Sequence, residues 1–315
     1  MRKTDFPNLF EVNYVGFIRG LRFFPKYIQK RITNRVFKSL QKLVSVNFNI
    51  VWSFDNSVFF RFDALPEGVL CISHIVDLNQ DFEFEVASET SDFCFGTTSQ
   101  IVAKQLKYND DSYLLTHGVM LPEKAPEPVQ LPGFNKLKAM YIGNLSMPYI
   151  DWKIIHSVVK KKSECDFVFV GSNGDNFTEK RNPYHKFKKQ VYQSKNTYFL
   201  PRIASSDIPN YLQSADVLFL AYQEKYHLDQ ANPHKVMEYL LSAKPIILTY
   251  TVEYVGISNH LFMSKSNEEW ADLWDDLQSK VSKWDKENTG ALTSAYAKSN
   301  SYSNQLLKIE QAISR

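Results

Sequence analysis

The sequence predicts an α/β fold made of two Rossmann-like domains that face each other across a cleft. Three observations lead to this prediction. The chain has 315 residues, about twice the usual length of one domain. Buried-strand patterns alternate with helical patterns in both halves, as in parallel doubly wound sheets. Four prolines lie between Pro122 and Pro132, and a proline-rich stretch of this kind is typical of a linker.

The composition excludes several other classes of protein. Apolar residues make up 44% of the chain and charged residues 23%, which is typical of a globular protein rather than a disordered or fibrous one. No stretch approaches the roughly 18 consecutive apolar residues that span a bilayer, and no signal-peptide pattern opens the chain. The three cysteines, Cys71, Cys94 and Cys165, lack the spacing of a zinc site, so we interpret them as reduced core residues. We therefore expect a cytoplasmic protein.

The first predicted element is a basic amphipathic helix. No Asp or Glu occurs between Val12 and Phe54, and apolar residues recur there near helical spacing. The cations of the basic segment 19–42 are Arg19, Arg22, Lys26, Lys30, Arg31, Arg35, Lys38 and Lys42. Such a helix suits an anionic membrane surface. The alternatives are a solvated helix face whose apolar side packs on the N-terminal domain, and a nucleic-acid site, for which no recognition motif accompanies the charge.

The N-terminal domain is predicted over residues 1–121. Short β-branched and aromatic runs that end at turn residues indicate its strands. The predicted strands are 48–54, 70–75, 93–96 and 113–116, with a helix over 99–106. The short apolar strand and glycine-rich turn that usually open such a domain are absent, so either the chain is truncated or its first strand is degenerate. Residues 10–17 are the only nearby substitute.

The C-terminal domain is predicted over residues 135–315, after a proline-rich linker at 122–134. Its patterns again alternate between strand and helix, which predicts a second Rossmann-like sheet. The predicted strands are 138–142, 166–170, 197–200, 216–221 and 245–249. The predicted helices are 152–161, 208–214 and 234–242, with closing helices within 268–284 and 306–313.

Candidate ligand-binding residues lie at the carboxyl ends of the C-terminal strands, where open parallel sheets bind their ligands. The strand-end candidates are Gly143, Ser172, Arg202 and Tyr222. Asn232 and Pro233 mark a helix start, whose free N–H groups would attract a diphosphate. Lys235 adds a positive charge, and Glu238 on the same helix face can accept two ribose hydroxyls. The alternative is an ordinary capped helix that carries a surface Lys–Glu pair.

The segments YLQSADVLFLAY and NPHKVMEYLLSAKPIILT, preceded by MYIGNLS and DFVFVGS, resemble the donor-binding half of retaining GT-B glycosyltransferases. The likeness covers residues 138–249 well and the N-terminal domain loosely. It points to the glycosyltransferase family 4-like, glucuronosyltransferase-like bacterial branch that makes surface polysaccharides. The resemblance implies that Glu238 holds the ribose, that Lys235 lies near the diphosphate and that Arg202 borders the nucleobase. Gln230 departs from the glutamate and Ala243 from the glycine usual in that family.

The resemblance implies that the N-terminal domain binds the sugar acceptor. This domain would have to supply a base if the transfer inverts the anomeric centre. Asp77, which follows the strand 70–75, resembles an acidic position of the same branch, and His74 is the second candidate. A structural hydrogen bond is the alternative role for His74, and Asp55 is the residue expected to cap a turn. His117 and Gly118 resemble the family's His-Gly turn before the linker, with Met120 in place of its acid.

The resulting prediction is a glycosyltransferase that uses a nucleoside-diphosphate sugar, with a UDP-sugar favoured, and neither metal nor resident cofactor. The expected acceptor is a lipid-linked glycan or a polysaccharide of the cell surface, modified in the cytoplasm or at the inner face of the membrane. One alternative is a GT-B-fold sugar-nucleotide epimerase, which shares the donor site but needs no acceptor. The other alternative is an inactive nucleotide-sugar-binding protein, consistent with Gln230 and Met120.

Overall fold

The computed structural model describes residues 2–4, 9–13, 18–54, 56, 59–77, 82–173, 185–286 and 288–314. The chain divides into two compact units, residues 1–116 with 311–315, and residues 117–310. The division therefore lies five residues before the predicted end of the N-terminal domain at 121, and the last residues belong to the first unit.

The proline-rich segment 122–134, predicted as a linker, is grouped with the second unit. The Glu127 N–H donates to Asn210 Oδ1 at 2.9 Å, and the Val129 N–H donates to Ser214 Oγ at 2.7 Å. Prolines remove backbone donors, but the remaining N–H groups still find partners on this unit.

The first unit contains a four-stranded parallel sheet whose strands follow one another in sequence order, β3-β4-β5-β6. These strands are Ile50–Ser53 (β3), Leu70–Ile75 (β4), Phe93–Gly96 (β5) and Ser112–Leu114 (β6). The four strand predictions are confirmed. The proposal that residues 10–17 replace a missing first strand is wrong for the part described, because Phe10–Glu11 (β2) pairs antiparallel with Arg2–Lys3 (β1) outside this sheet.

Three helices of the described residues pack in the first unit: Lys26–Val44 (α1), Phe84–Thr90 (α2) and Ser99–Gln105 (α3). The predicted amphipathic helix is confirmed as α1. Its buried residues are Gln29, Thr33, Val36 and Phe37, which recur at the spacing of one helix face. Helix α1 ends at Val44, and the next residue, Ser45, has the left-handed conformation with φ of 58° that commonly terminates a helix.

The second unit contains a six-stranded parallel sheet in the order β12-β11-β10-β7-β8-β9. Its strands are Leu137–Ile142 (β7), Cys165–Val170 (β8), Thr197–Leu200 (β9), Val217–Leu220 (β10), Ile246–Leu248 (β11) and Phe262–Met263 (β12). The first five confirm predicted strands, whereas β12 was not predicted because two residues carry no periodicity. Strands β7, β8 and β10 are wholly buried apart from the first residues of β7, as expected for a sheet covered on both faces.

The α-helices described in the second unit are Trp152–Lys161 (α4), His185–Tyr192 (α5), Ile208–Ser214 (α6), His234–Leu241 (α7), Leu277–Lys286 (α8), Thr289–Ser299 (α9) and Tyr302–Ile313 (α10), of which residues 311–313 are grouped with the first unit. Local sequence signals explain where several begin. Asp151 Oδ1 caps α4 by accepting from the N–H groups of Lys153 and Ile154, and Pro209 occupies the first turn of α6. The fold is thus a pair of Rossmann-like α/β units, as predicted.

Candidate nucleotide-sugar site

The strand order of the second unit reverses between β7 and β10. Strands β8 and β9 extend the sheet on one side of β7, and β11 and β12 extend it on the other side of β10. In open α/β sheets the crevice at such a switch point, beyond the carboxyl ends of the strands, is where ligands bind. Gly143 follows β7, and Tyr222 lies two residues after β10. Two predicted site residues therefore lie at the switch point.

Two glycines shape the backbone at this edge of the sheet. Gly143 and Gly171, with φ of 153° and 148°, have conformations that side chains rarely adopt. The Gly143 N–H donates to the Val170 carbonyl at 2.9 Å. A Cβ on Gly171 would collide with the Gly143 carbonyl, and a Cβ on Gly143 would collide with the Lys235 ammonium. Only glycine lets the two strand ends and the lysine approach so closely.

Helix α7 begins beside these strand ends, with Pro233 at its N-cap. The turn before it is fixed by the Tyr254 hydroxyl, which donates to Asn232 Oδ1 at 2.9 Å, and by the Glu253 N–H, which donates to the Ala231 carbonyl at 3.2 Å. Asn232 is buried. The first N–H groups of a helix have no partner within the helix, so this turn presents donors and partial positive charge to an anion.

Lys235 points its ammonium toward the end of β7. Its Nζ donates to the Tyr141 hydroxyl at 2.8 Å, and it lies 4.4 Å from the centroid of the Tyr141 ring and 5.8 Å from that of Tyr222. Burial lowers the pKa of Lys235 to about 7, while the nearby Glu238 acts in the opposite direction. The ring faces attract a cation but do not neutralise it. A bound phosphate would supply the missing negative charge.

Glu238 lies one turn further along α7 and is partly buried. Desolvation raises the pKa of its carboxyl, whereas His234 and Lys235 lower it. An ionised carboxylate of this kind has several acceptor sites and no donor. It can therefore accept hydrogen bonds from two neighbouring hydroxyl groups, which is what the 2′ and 3′ positions of a ribose offer.

Four tyrosines cluster near the lysine, three of them buried and Tyr149 partly buried, and only Tyr222 was predicted from the sequence. The cluster consists of Tyr141, Tyr149, Tyr222 and Tyr239. The Ile142 N–H donates to the Tyr239 hydroxyl at 2.9 Å, and the rings of Tyr149 and Tyr222 lie 4.8 Å apart. Desolvation raises the pKa of Tyr141, Tyr222 and Tyr239, so these phenols stay protonated. A tyrosine inside a buried strand needs a polar partner, and this signal could have identified Tyr141.

A histidine pair flanks the first turn of α7. The rings of His117 and His234 lie 5.5 Å apart, and His234 Nε2 is 3.0 Å from the Tyr302 hydroxyl. Desolvation and the neighbouring His234 lower the pKa of His117 to about 4, although a hydrogen bond to the Asn232 backbone acts against them. His117 is therefore neutral near pH 7. The sequence indicated His117 by resemblance alone and gave no reason to place it beside His234.

Ser172 and Arg202 follow the neighbouring strands β8 and β9, further from the switch point. Both side chains are exposed, and the Ser172 carbonyl accepts from the Leu145 N–H at 2.8 Å. The structure thus groups Gly143, Tyr222, Asn232, Lys235 and Glu238, whereas Ser172 and Arg202 extend the same edge of the sheet. Their roles toward a ligand remain predictions.

The two candidate bases of the first unit occupy different environments. His74 lies within β4, buried among aromatic rings whose centroids are 5.9 Å (Trp52), 5.1 Å (Phe54) and 6.1 Å (Phe95) from its own. This packing favours a structural role. Asp77 lies beyond the end of β4 with an exposed side chain, although neighbouring protein atoms desolvate the carboxyl and raise its pKa. Catalysis by either residue stays a prediction, and Asp55 lies outside the described residues.

Three further observations on the described residues concern metal sites, membrane-spanning helices and paired cysteines. No group of three or more His, Cys, Asp and Glu side chains in that part of the chain is placed to hold a metal ion. Nor does any helix in it have the length and apolar character to cross a bilayer. All three cysteines are buried and unpaired with one another, as interpreted from the sequence.

Comparison with solved structures identifies the fold. The chain matches the sucrose-phosphate synthase of Thermosynechococcus elongatus at a TM-score of 0.68 and 12% identity, over 92% of this chain and 79% of that one. The chain shares the GT-B fold. A UDP-forming trehalose-phosphate synthase of Burkholderia xenovorans matches at a TM-score of 0.66 and 9% identity, over 93% and 80% of the two chains. Anabaena HepE in complex with UDP and glucose matches at a TM-score of 0.64 and 12% identity, over 90% of this chain and 81% of that one.

These structures resemble the chain in fold, at identities too low to establish more. No protein-family model matches the sequence, and no curated protein sequence matches it either. The GT-B fold is nevertheless the one that the segments around Lys235 and Glu238 indicated. The predicted fold is therefore confirmed.

Proposed function

We propose that the protein is a glycosyltransferase that transfers a sugar from a nucleoside diphosphate to a glycan acceptor. The observation that carries the proposal is the pair Lys235 and Glu238 on the first turns of α7, at the switch point of the second sheet. A cation beside free helix N–H groups suits a diphosphate, and a carboxylate one turn on suits a ribose. The uridine nucleotides named with two similar structures favour a UDP-sugar.

The chemistry proposed for the donor half is stabilisation of the leaving group. The bond between the anomeric carbon and the diphosphate oxygen breaks, and negative charge develops on the departing diphosphate. Lys235 and the N–H groups at the start of α7 would bind that charge more tightly as it grows, which lowers the barrier. The acceptor hydroxyl forms the new glycosidic bond and loses its proton, and Asp77 is our candidate to receive it in an inverting reaction, with His74 the less favoured one.

We further propose a lipid-linked or polysaccharide acceptor of the cell surface. The support is the basic segment 19–42 of the first unit, which suits work beside an anionic membrane at its cytoplasmic face. An epimerase has no need of such a surface. Incubation with a UDP-sugar alone tests this point, because an epimerised free nucleotide sugar would favour the epimerase. Transfer that depends on a lipid-linked acceptor would favour the transferase.

The donor site is tested by replacing Glu238 with alanine. Loss of the charge-assisted hydrogen bonds to the ribose should weaken UDP binding by about 1–3 kcal/mol, measured by titration calorimetry. Glu164→Ala is a matched control, because Glu164 is an exposed carboxylate of the same unit, and it should leave the affinity unchanged. Unchanged affinity in Glu238→Ala as well would reject the assignment of Glu238 to the ribose.

A further inference from the structure

The solvent face of α1 carries an unbroken stripe of positive charge. Arg31, Arg35, Lys38 and Lys42 are all exposed, and their spacing places them along one side of the helix. Among the described residues no carboxylate lies within ion-pair distance of these four side chains. Asp63, the acid beside α1, is already paired with Lys30 at 2.9 Å and with Arg61 at 3.4 Å. The four charges are therefore available to an external anion.

Exposed aromatic rings lie at the N-terminal end of the same helix. Phe23 is 79% exposed and Tyr27 is 72% exposed. The structure adds Phe82, which is far away in sequence: the Arg22 guanidinium carbon lies 4.8 Å from the ring centroids of both Phe23 and Phe82. Large rings seldom remain exposed together on a soluble surface unless they meet a partner. We call these rings and the stripe of four cations the basic-aromatic surface.

A groove runs beside the cations. It has a volume of about 680 Å³ and lies between α1 and the turn around Asp63 and Ala64. Its position is fixed because Asn34 Nδ2 donates to the Ala64 carbonyl at 2.9 Å. The groove is lined by lysines and arginines of α1 and by a single carboxylate, Asp63, which is already paired. Such a lining suits a phosphate headgroup, which has several acceptor oxygens.

We infer that the basic-aromatic surface docks the first unit on an anionic phospholipid bilayer. The cations would bind the headgroup phosphates, and the rings of Phe23, Tyr27 and Phe82 would enter the interfacial layer, where aromatic side chains are favoured. The rings cluster at one end of the stripe rather than alternating with the cations along a groove, as stacking on single-stranded nucleic acid requires. The inference rests on the proposed function only for its consequence, access to a lipid-linked acceptor.

Liposome flotation tests the surface directly. The full chain should float with vesicles that contain phosphatidylglycerol, and should stay in solution with vesicles of phosphatidylcholine alone. The variant Arg31→Gln, Arg35→Gln, Lys38→Gln, Lys42→Gln should partition at least about 100-fold more weakly, since each cation near such a surface strengthens binding several-fold. The matched control replaces four exposed lysines of the second unit with glutamine: Lys153, Lys160, Lys189 and Lys265. It should float like the unaltered protein.

The aromatic rings are tested separately with Phe23→Ser, Tyr27→Ser. This variant should bind anionic vesicles more weakly and should lose more of its binding at 0.5 M salt, because only the screened electrostatic attraction remains. Circular dichroism and melting temperature would verify that each variant is folded. Flotation of the four-cation variant equal to that of the unaltered protein, or indifference of the protein to anionic lipid, would overturn the inference.

Two further measurements separate membrane docking from the proposed donor site and from nucleic-acid binding. UDP binding in solution reports on the proposed donor site alone, so a four-cation variant that keeps its UDP affinity but no longer floats supports the docking surface. A protein that binds UDP and ignores every vesicle would refute docking and leave the proposed function intact. Tighter binding to a single-stranded oligonucleotide than to anionic vesicles at 0.15 M salt would identify nucleic acid as the partner and overturn the inference.

Discussion

Lys235 connects local burial to a pH dependence of ligand binding. Because its pKa is lowered to about 7, the side chain is an ammonium below that pH and loses its charge as the pH rises. In the function that we propose, the ammonium binds the donor diphosphate. The affinity for UDP-glucose, whose diphosphate keeps its charge in this range, should therefore fall between pH 6.5 and 8.5, approaching tenfold per pH unit above the pKa. Calorimetry across this range measures it.

The Lys235→Arg variant supplies the control, because a guanidinium stays protonated throughout the range. Its affinity should depend little on pH, even if the longer side chain binds more weakly overall. Other titratable groups face the same turn, namely His117, His234, Glu238 and Tyr302. If the arginine variant keeps the full pH slope of the unaltered protein, one of these groups rather than Lys235 is responsible.

Tyr141 holds Lys235 in place through its hydroxyl. The Tyr141→Phe variant keeps the ring beneath the ammonium but removes the acceptor at 2.8 Å. A lost hydrogen bond from a charged donor is worth about 1.5–3 kcal/mol, so UDP affinity should fall by a factor of about 12 to 160. Tyr198→Phe, on strand β9 of the same sheet, should change nothing. Equal UDP affinities for Tyr141→Phe and the unaltered protein would mean that the ring faces suffice to position the ammonium.

At the scale of elements, the join between β7 and β8 is the most constrained part of the site. The Gly171→Ala variant places a Cβ against the Gly143 carbonyl, at a φ that alanine resists. Relief requires movement of the backbone, so we expect a loss of stability of about 1–3 kcal/mol and weaker UDP binding. Thermal unfolding and calorimetry measure the two effects. Gly256→Ala is the control, because its Cβ would meet nothing within 4 Å and an unstrained Gly→Ala change should cost no stability; a similar loss there would contradict the steric explanation.

The helices and strands that were predicted correctly have either a strong pattern of apolar residues or a clear capping or turn residue at one end. Strand β4 and helix α4 were predicted at their observed bounds, because one is a short run rich in apolar residues and the other has an Asp cap and amphipathic spacing. Helix α9 was missed because its small and polar residues show no apolar stripe. It packs on α7 through close contacts, such as that of Ser294 Oγ with the Leu241 carbonyl at 3.2 Å, which only the folded chain creates.

The residues of the site divide in the same way, into those with a local sequence signal and those brought together only by the fold. Asn232, Lys235 and Glu238 are three residues apart at the start of α7. Their sequence spacing alone was therefore enough to predict that they lie close together. Tyr141 and Tyr302 reach the same place from β7 and α10, and no local pattern can relate residues so far apart in the chain. His74 illustrates the reverse case, because its place near a strand end suggested a candidate base, whereas rings from neighbouring strands bury it.

For the whole molecule, the division into two units predicts where a bound nucleotide stabilises the chain. The residues proposed to bind UDP belong to the second unit, residues 117–310. At a UDP concentration of 100 times Kd, binding should stabilise that unit by about 2.7 kcal/mol. Amides that exchange only when it unfolds should then exchange about 100-fold more slowly. Strands β7 and β10 are the segments to follow by hydrogen exchange with mass spectrometry.

Strands β3 to β5 of the first unit serve as the internal reference in the same experiment. Their amides should exchange at the same rate with and without UDP, because none of the proposed nucleotide ligands lies in that unit. The Glu238→Ala protein, at equal UDP concentration, should show a smaller effect in β7 and β10. Slower exchange confined to the first unit would indicate that the nucleotide binds there, and it would contradict the assignment of the donor site to α7.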